Sequence, residues 1–457
     1  MNVGLRMLGD SLRAQGVEVV DVDWRIPAGG DSALAGALTR LYGPRAAAIE
    51  AANHEVLARL DQGAPVVVGV APAHHVVPGM DERTVLHPGP GLPWEEFCDP
   101  LRRSVRAAVI AEGWAADPGA AEACVSSCEV RLRPANWHAA AVPMATALGP
   151  TAPVWVVEHP QGGNRAFSGI NQGPGKAPWF GVETPEAVDR LVWLREEAGP
   201  VLDAALRGSG PVDVFRVAAQ GLQMGDDVHM RVQAATNHLI RHLLPHIASQ
   251  ADPRRVAVAR FLSANHLFFL NLAMAAAKAV ADWAANVSGS SIVIGMARNG
   301  TTFGIRLAGM PDRWFVAPAP EVGEALYHPG FGPDDAAGDI GDSAVLELVG
   351  LGGPAAAASP AVAGFLGRGV DEAIATTEDM ARICAGSSTR FRIPYLDFRG
   401  TPLGVDVRKV VELELTPHIN TGILHARDGT GQVGAGIAEA PLACFQEALL
   451  ALDGTGT

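Results

Sequence analysis

The chain has 457 residues, of which 48% are hydrophobic and 18% are charged. This length exceeds what one hydrophobic core usually supports, and the composition permits a large buried interior, so a disordered chain is excluded and two to four structural units are expected. The formal net charge of -14 disfavours nucleic acid and acidic membranes as partners. Any site for an anion must therefore be local.

The cysteines and the apolar segments indicate the cellular compartment in which the protein works. The five cysteines are an odd number with one closely spaced pair, which fits a reducing cytoplasm better than a disulfide framework. The N-terminal segment carries charges and lacks the unbroken apolar run of a signal peptide. The most apolar stretch, 268–283, is interrupted by polar residues and is too short to span a bilayer. We expect a soluble, cytoplasmic protein.

The first 90 residues predict a Rossmann-like α/β unit, which residues 120–160 could complete. Residues 3–15 have the apolar stripe of a helix, and Val17–Val22 form a Val-rich strand ending at Asp23-Trp24. A helix over 45–60 is followed by Pro65–Ala71, a continuously apolar strand of the kind that parallel sheets bury on both faces. No G-x-G-x-x-G turn follows the first strand, so no dinucleotide is assigned.

The rest of the chain divides at stretches rich in glycine and proline. An α/β unit is expected over 91–210, with strands at 129–132 and 153–158 and a helix from Thr184 to about Leu206. Residues 211–288 predict a helical subdomain, and 289–457 a further α/β unit with Gly-rich loops and helices near 360–366, 371–384 and 441–452. Asn299-Gly300 joins two apolar segments and predicts a β-hairpin over 290–308. The expected fold class is α/β, with several units and a small helical subdomain.

The segment 171–176, with the sequence NQGPGK, is a candidate anion site. It combines side-chain amides, glycines that let backbone N–H groups approach a ligand, and the point charge of a lysine. Its spacing does not fit a Walker A motif. A Gly-Pro turn with a solvated lysine explains the same residues equally well. The residues that could contact phosphate or carboxylate are Asn171, Gln172, Gly173, Gly175 and Lys176.

Two helical patterns place polar groups together. Asp226, His229 and Gln233 would share one helix face, where the carboxylate could orient the imidazole as an acid or base, or both could bind a metal. Alternatively, the two aspartates cap a helix and the histidine lies on the surface. Asn271 and Lys278 form a polar stripe in an otherwise apolar helix and need partners, either a ligand or a hydrogen-bond network between helices.

Further candidates lie in the C-terminal half. Arg298 and Asn299 occupy the predicted hairpin, and arginine binds carboxylates in a bidentate way. Two polar turns, 339–343 and 397–401, the latter including Arg399, could reach a site, although turn chemistry alone explains them. Asn420 and Thr421 precede a glycine run, 429–436, that could form a backbone cradle or a flexible loop. His238, His242 and His246 have metal-ligand spacing without further support, so no metal is predicted.

Several long stretches resemble the AllG (YlbE-like) family, the subunits of oxamate carbamoyltransferase. The resemblance begins at the N-terminus with Asn2-Val3-Gly4-Leu5 and VEVVDVDWRIPAGGD (17–31) and extends over essentially the whole chain. The other matching stretches are INQGPGKAPWFG (170–181), LQMGDDVHMR (222–231), NHLFFLNLAMAAAK (265–278), MARNGTTFGIRLAG (296–309), APAPEVGEALYHPGF (317–331), DIGDSA (339–344), DFRGTPLGVDVRKVVE (397–412) and HINTGILHARDGTGQVGAGIAEAP (418–441).

The resemblance implies carbamoyl transfer in allantoin breakdown, in which oxalurate and phosphate give oxamate and carbamoyl phosphate. We expect no cofactor. It also implies companion subunits, one of them FdrA-like; self-association is a further expectation. On chemical grounds, we expect Lys176 and the neighbouring glycines to hold phosphate, Arg298 to hold the oxamate carboxylate, and His229, oriented by Asp226, to move the proton. The carbonyl would be polarised by Asn171 or Asn271. The alternatives are a stand-alone hydrolase or lyase on another ureide, cyclic amide or imide, and a non-catalytic scaffold.

Overall fold

The computed structural model describes residues 2–3, 6–22, 26–365 and 367–455. Its helices are α1 (Arg6–Arg13), α2 (Ser32–Tyr42), α3 (Ala46–Gln62), α4 (Ala73–Val76), α5 (Asp99–Ala111), α6 (Pro118–Ser126), α7 (Pro185–Trp193), α8 (Gly199–Ser209), α9 (Val214–Gln223), α10 (Gln233–Ala248), α11 (Arg255–Ala264), α12 (Phe268–Trp283), α13 (Val345–Leu348), α14 (Pro360–Phe365), α15 (Val370–Ile383), α16 (Val407–Leu413) and α17 (Leu442–Gly454).

The strands form several small sheets, which confirms the α/β fold class. They are β1 (Asn2–Val3), β2 (Asp21–Val22), β3 (Val66–Pro72), β4 (Thr84–His87), β5 (Arg131–Pro134), β6 (Pro153–His159), β7 (Asn164–Gly169), β8 (Val212–Asp213), β9 (Val293–Asn299), β10 (Thr302–Leu307), β11 (Met310–Pro318), β12 (Glu324–Tyr327), β13 (Ile340–Gly341), β14 (Cys384–Ile393), β15 (Arg399–Val405), β16 (His418–Leu424) and β17 (Gln432–Glu439).

One four-stranded sheet, in the order β7-β6-β3-β8, forms the centre of the first core. The predicted strand at 65–71 is present as β3, but the parallel neighbours expected for it were wrong, because β6 and β8 both pair with it antiparallel. Its sequence is nevertheless apolar for the expected reason: alternate residues of β3 and β6 contribute to different buried clusters. Trp155 of β6 packs edge-on against Phe268 of α12, 5.5 Å between ring centroids.

A second antiparallel sheet, in the order β11-β10-β9-β13, carries the predicted hairpin. Strands β9 and β10 confirm it, and Gly300 in the turn has a φ of 84°. The glycine run at 429–436 lies largely in β17, which pairs antiparallel with β16 and β12, so the expected Gly-rich loop there was wrong. The strand pairing uses the backbone N–H and C=O groups that a loop would have left free to bind a ligand.

The remaining predicted elements differ mainly in extent. The region 211–288 is mostly helical as expected, with the short strand β8 and the segments between the helices as exceptions. The helix predicted from Thr184 is present as α7 and α8, joined by a π-helical turn at Leu194–Ala198. Of the strand expected at 17–22, β2 contains Asp21–Val22, and Asp23-Trp24 lie outside the described residues, as do Gly4-Leu5.

Membrane spans and metal sites are both missing from the described part of the chain. Within it, no single helix is long and apolar enough to cross a bilayer; α11 and α12 together would reach that length but meet at a bend of 85°. Nor do the described residues contain a group of three or more His, Cys, Asp or Glu side chains arranged to hold a metal ion. Among the histidines with metal-ligand spacing, His242 and His246 lie with ring centroids 6.3 Å apart.

Candidate functional site

The segment 224–232, between α9 and α10, is a tight turn that places His229. The predicted helix face of Asp226, His229 and Gln233 was wrong, because the backbone reverses here: Gly225 and Val228 have φ values of 97° and 64°. A β-branched residue in the left-handed region is strained and is found mainly where the surroundings impose it. The carboxylate of Asp227 holds the turn by accepting hydrogen bonds from the N–H groups of His229 and Arg231, both at 2.9 Å.

The imidazole of His229 is oriented by Glu347 of α13 and not, as expected, by Asp226. His229 Nδ1 lies 2.6 Å from Glu347 Oε1, and the two side chains are 4% and 0% exposed. Among the described residues, no group hydrogen-bonds His229 Nε2, and His229 lines a cleft of about 80 Å³. A carboxylate on Nδ1 fixes the ring and stabilises its protonated form, which leaves Nε2 to exchange protons with a ligand.

Asp226 has a structural role in the same turn. Its Oδ1 accepts from Arg231 Nη1 at 2.9 Å, and its Oδ2 accepts from the N–H of Ala235 at 2.8 Å, near the start of α10. Burial raises the pKa of Asp226 to about 6, although these contacts favour the ionised form. This agrees with the alternative of a helix-capping aspartate.

The cleft combines an apolar wall with a few polar groups. Trp179, Phe180 and Leu270 supply apolar surface. Ser343, Asn420, Thr421 and Gln432 join His229 as the polar lining. An apolar wall with a few placed polar groups is typical of sites for small molecules.

Asn420 is held by a buried carboxylate. Its Nδ2 donates to Asp227 Oδ2 at 2.6 Å, and its backbone N–H points to Glu347 Oε1 at 3.4 Å. Burial raises the pKa of Asp227. Within the described chain, nothing donates to Asn420 Oδ1, so this oxygen is available to accept a hydrogen bond from a ligand.

Arg298 lies behind the cleft and is already paired. Its Nε and Nη2 donate to the two oxygens of Asp339, at 2.7 and 3.1 Å, and both side chains are fully buried. The guanidinium also donates to Ser343 Oγ at 3.3 Å, and Thr421 Oγ1 donates to Asp339 at 2.7 Å. Arg298 therefore positions two hydroxyl groups of the lining, and its bidentate face is used by Asp339 rather than left for a carboxylate ligand.

The segment 171–173 belongs to a buried network of amides. Asn171 donates to Asn271 Oδ1 at 3.0 Å and accepts from Asn265 at 3.0 Å and from the N–H of Gly173 at 2.9 Å. Asn271 in turn donates to the carbonyl of Gly169 at 2.7 Å. These contacts satisfy the amides of the polar stripe in α12 and occupy the Gly173 N–H.

The other predicted site residues lie apart from the cleft. Gly175 and Lys176 are exposed on the surface. Lys278 is buried and pairs with Asp282, and burial lowers its pKa. Arg399 is an exposed residue paired with Glu378, and Asn299 stabilises the hairpin turn by accepting from Thr302 N. His229, Asn420 and Thr421, with Arg298 behind them, are thus the predicted residues that the structure brings together.

Residues missed by the sequence reasoning complete the cleft. Glu347 left a signal, since it is the single acid in the apolar stretch 344–351. A buried carboxylate in such a stretch needs a partner. Gln432 and Trp179 left no such signal in the sequence. The position of Gln432 depends on the pairing of β17, and that of Trp179 on the turn after 171–176.

Comparisons with known proteins show the family of this α/β chain. A family model described as oxamate carbamoyltransferase subunit AllG matches residues 130–343. The oxamate carbamoyltransferase subunit AllG of Escherichia coli K12 is 41% identical over 406 residues, which are 88% of this chain and 97% of that protein. The chain belongs to the AllG family.

Two further relatives extend over nearly the whole chain. A protein of Escherichia coli K12 named "Uncharacterized protein YahG" is 36% identical over 453 residues, 98% of this chain and 96% of that protein. A crystal structure of a conserved protein of unknown function from Enterococcus faecalis V583 has a TM-score of 0.87 and 36% sequence identity, and the match covers 90% of this chain and 99% of that one.

Proposed function

We propose that this chain carries the proton-transfer site of an oxamate carbamoyltransferase, which converts oxalurate and phosphate into oxamate and carbamoyl phosphate. The observation that carries the proposal is the His229–Glu347 pair, with Nε2 of the imidazole free in a cleft lined by Ser343 and Asn420. Membership of the AllG family and the name of the Escherichia coli relative support carbamoyl transfer that involves oxamate.

The reaction needs one proton at one nitrogen. A phosphate oxygen attacks the carbamoyl carbon of oxalurate, the bond from that carbon to the oxamate nitrogen breaks, and the departing nitrogen takes up a proton. Protonated His229 donates it from Nε2, and the proton that hydrogen phosphate loses as its oxygen bonds to the carbamoyl carbon returns neutral His229 to its protonated form. In the reverse direction neutral His229 removes the proton from the oxamate amide. Glu347 stabilises the imidazolium form in both directions.

The neighbouring polar groups suit the carbamoyl group. The Ser343 hydroxyl, which accepts from Arg298, can donate its own proton to the carbamoyl oxygen. Asn420 Oδ1 can accept from the carbamoyl NH₂, since Asp227 holds the other end of the amide. Both groups are held in place before the ligand binds. Less entropy is therefore lost on reaching the transition state.

The charge of the cleft supports a multi-subunit enzyme. Of the described residues that line it, His229 alone can be cationic, whereas phosphate binding usually needs several cations or N–H donors. A companion subunit, as in the FdrA-like partner that the family resemblance implies, would supply the rest. Lys176, exposed on the surface, is the alternative within this chain.

The test is an assay of ureide formation from carbamoyl phosphate and oxamate, with the chain alone and with its co-expressed companion subunits. We expect activity in the complex, and His229→Gln to lower kcat by about 10²–10⁴-fold. Glu347→Gln should also lower kcat, because the imidazole loses the carboxylate that orients it.

The control is His242→Gln, an exposed histidine of α10 that should leave kcat unchanged. Full activity of His229→Gln in the complex would exclude this cleft. Turnover of the ureide by the chain alone without phosphate would instead indicate a hydrolase or lyase, and a complex that keeps its rate when this chain carries both substitutions would indicate a scaffold.

A further inference from the structure

Gln432 is a polar residue of the cleft lining to which the proposed reaction assigns no role. It begins β17 and lines the cleft together with His229 and Asn420. Its amide is anchored through the nitrogen, since Nε2 donates to the carbonyl of Gly434 at 3.0 Å. Among the described residues, no group donates to Gln432 Oε1, so this oxygen is available to accept a hydrogen bond from a ligand.

A glycine on the neighbouring strand makes room for this amide. A Cβ atom at Gly422 of β16 would lie 3.1 Å from Gln432 Nε2 and 2.8 Å from Met144 Cε. Gly422 is two residues from Asn420 along the same strand, a rise of about 7 Å. The amides of Gln432 and Asn420 can therefore contact different groups of one ligand in the same small cleft.

The two amides present the same kind of group to a ligand. Asn420 Nδ2 donates to Asp227, and Gln432 Nε2 donates to a backbone carbonyl. In both amides the protein thus uses the N–H end and leaves the oxygen. A fixed oxygen acceptor stabilises an N–H group of a ligand, whereas a methyl group in the same position leaves the acceptor unpaired. These two residues therefore select a ligand with N–H groups.

We propose that Gln432 is a specificity residue that recognises the acceptor of the carbamoyl group by its primary amide; this rests on the function proposed for the cleft. The oxamate nitrogen carries two protons. As it forms a bond to the carbamoyl carbon, the bond from that carbon to the phosphate oxygen breaks. One proton passes to neutral His229, which gives it to the departing phosphate. The other proton stays on the nitrogen, and Gln432 Oε1 accepts a hydrogen bond from this N–H in substrate and product alike.

The test is calorimetric titration of the assembled enzyme with oxamate and with pyruvate. These anions have the same charge and nearly the same shape, and they differ in an NH₂ group against a methyl group. We expect oxamate to bind at least about tenfold more tightly than pyruvate.

Gln432→Met keeps the length of the side chain and removes the acceptor. It should weaken oxamate binding about 5- to 10-fold and leave pyruvate binding unchanged, which shows at the same time that the cleft is intact. Steady-state kinetics should show a rise in the KM for oxamate and none in the KM for carbamoyl phosphate. Gln233→Met, the same substitution at an exposed glutamine outside the cleft lining, is the matched control and should change neither affinity.

The proposal is overturned if oxamate does not bind, if pyruvate binds as tightly, or if Gln432→Met weakens both anions equally or has no more effect than Gln233→Met. Binding does not depend on turnover, so these outcomes differ from a failure of the proposed reaction. That failure would appear as full activity of His229→Gln in an enzyme that still prefers oxamate to pyruvate.

Discussion

At the scale of single residues, the cleft depends on carboxylates that the sequence does not distinguish from one another. Asp226, Asp227 and Glu347 are all buried, yet their roles differ, because the first caps α10, the second fixes the turn and Asn420, and the third orients His229. Asp226 was the natural choice from spacing on a helix. The positive φ of Val228 turns the chain, so an acid 118 residues away makes the contact.

Lys176 offers a direct test of the phosphate site predicted at 171–176. Its side chain is exposed, and the neighbouring Gly173 N–H already donates to Asn171. We expect Lys176→Met to change kcat and the KM for phosphate in the assembled enzyme by no more than about twofold, since surface substitutions are usually mild. Steady-state kinetics at varied phosphate would show this. A rise in the KM for phosphate of about tenfold or more would show that Lys176 contributes to phosphate binding.

Asn271 should be needed for stability. Replacing it with alanine leaves the Asn171 amide and the Gly169 carbonyl without their partner in a buried place. We expect Asn271→Ala to lower the free energy of unfolding by about 2–4 kcal/mol, because each unsatisfied buried group costs about 1–3 kcal/mol. Urea unfolding measures it. Asn237→Ala, on the exposed face of α10, is the matched control and should change stability by less than about 0.5 kcal/mol.

At the scale of elements, the sequence indicated many of the helices and a minority of the strands, and it did not indicate how the strands pair. The hairpin at Asn299-Gly300 was predictable because its turn chemistry is local, and the helices around 211–288 because their apolar periodicity is long. Whether the neighbours of β3 run parallel or antiparallel to it was not predictable, since burial on both faces gives the same apolar run in both kinds of sheet. The glycines of β17 suggested a loop, because only their pairing with β16 makes them a strand.

Strand β4 supplies a pH-dependent contribution to stability through His87. The ring is 1% exposed, its Nδ1 donates to the carbonyl of Pro88 at 2.8 Å, and burial lowers the pKa to about 4. The unfolded chain binds a proton near pH 6.5 and the folded chain near pH 4, so stability is present above about pH 6.5 and is lost as the pH falls through this interval.

The variant His87→Gln keeps a donor for the Pro88 carbonyl and removes the titration. Between about pH 7 and pH 4.5, we expect the wild type to lose about 2–3 kcal/mol more unfolding free energy than this variant. Denaturant unfolding across this range gives both curves. His54→Gln, an exposed histidine of α3, should run parallel to the wild type. If the His87→Gln curve is also parallel, His87 is not buried in its neutral form.

At the scale of the whole molecule, the two main hydrophobic cores share elements instead of dividing between separate units. One core contains α12 and the sheet of β3 and β6; the other contains α2, α16 and α17 with the sheet of β9 and β10. Strand β9 serves both, because Ile294 packs in the first core and Val293 and Met296 in the second. Helix α3 does the same with Val56 and Ile49. The unit boundary predicted between residues 288 and 289 therefore separates elements that stabilise each other.

This sharing predicts that the chain unfolds in one cooperative step, despite its length. Ile294→Ala and Met296→Ala remove neighbouring side chains of β9 from different cores, and each should lower the free energy of unfolding by about 2–4 kcal/mol. Because the cores are joined through β9, both variants should shift the same transition, with far-ultraviolet circular dichroism and tryptophan fluorescence remaining coincident. If instead each substitution moved only one of two separate transitions, residues 1–288 and 289–457 would be independent folding units, and the predicted boundary would hold.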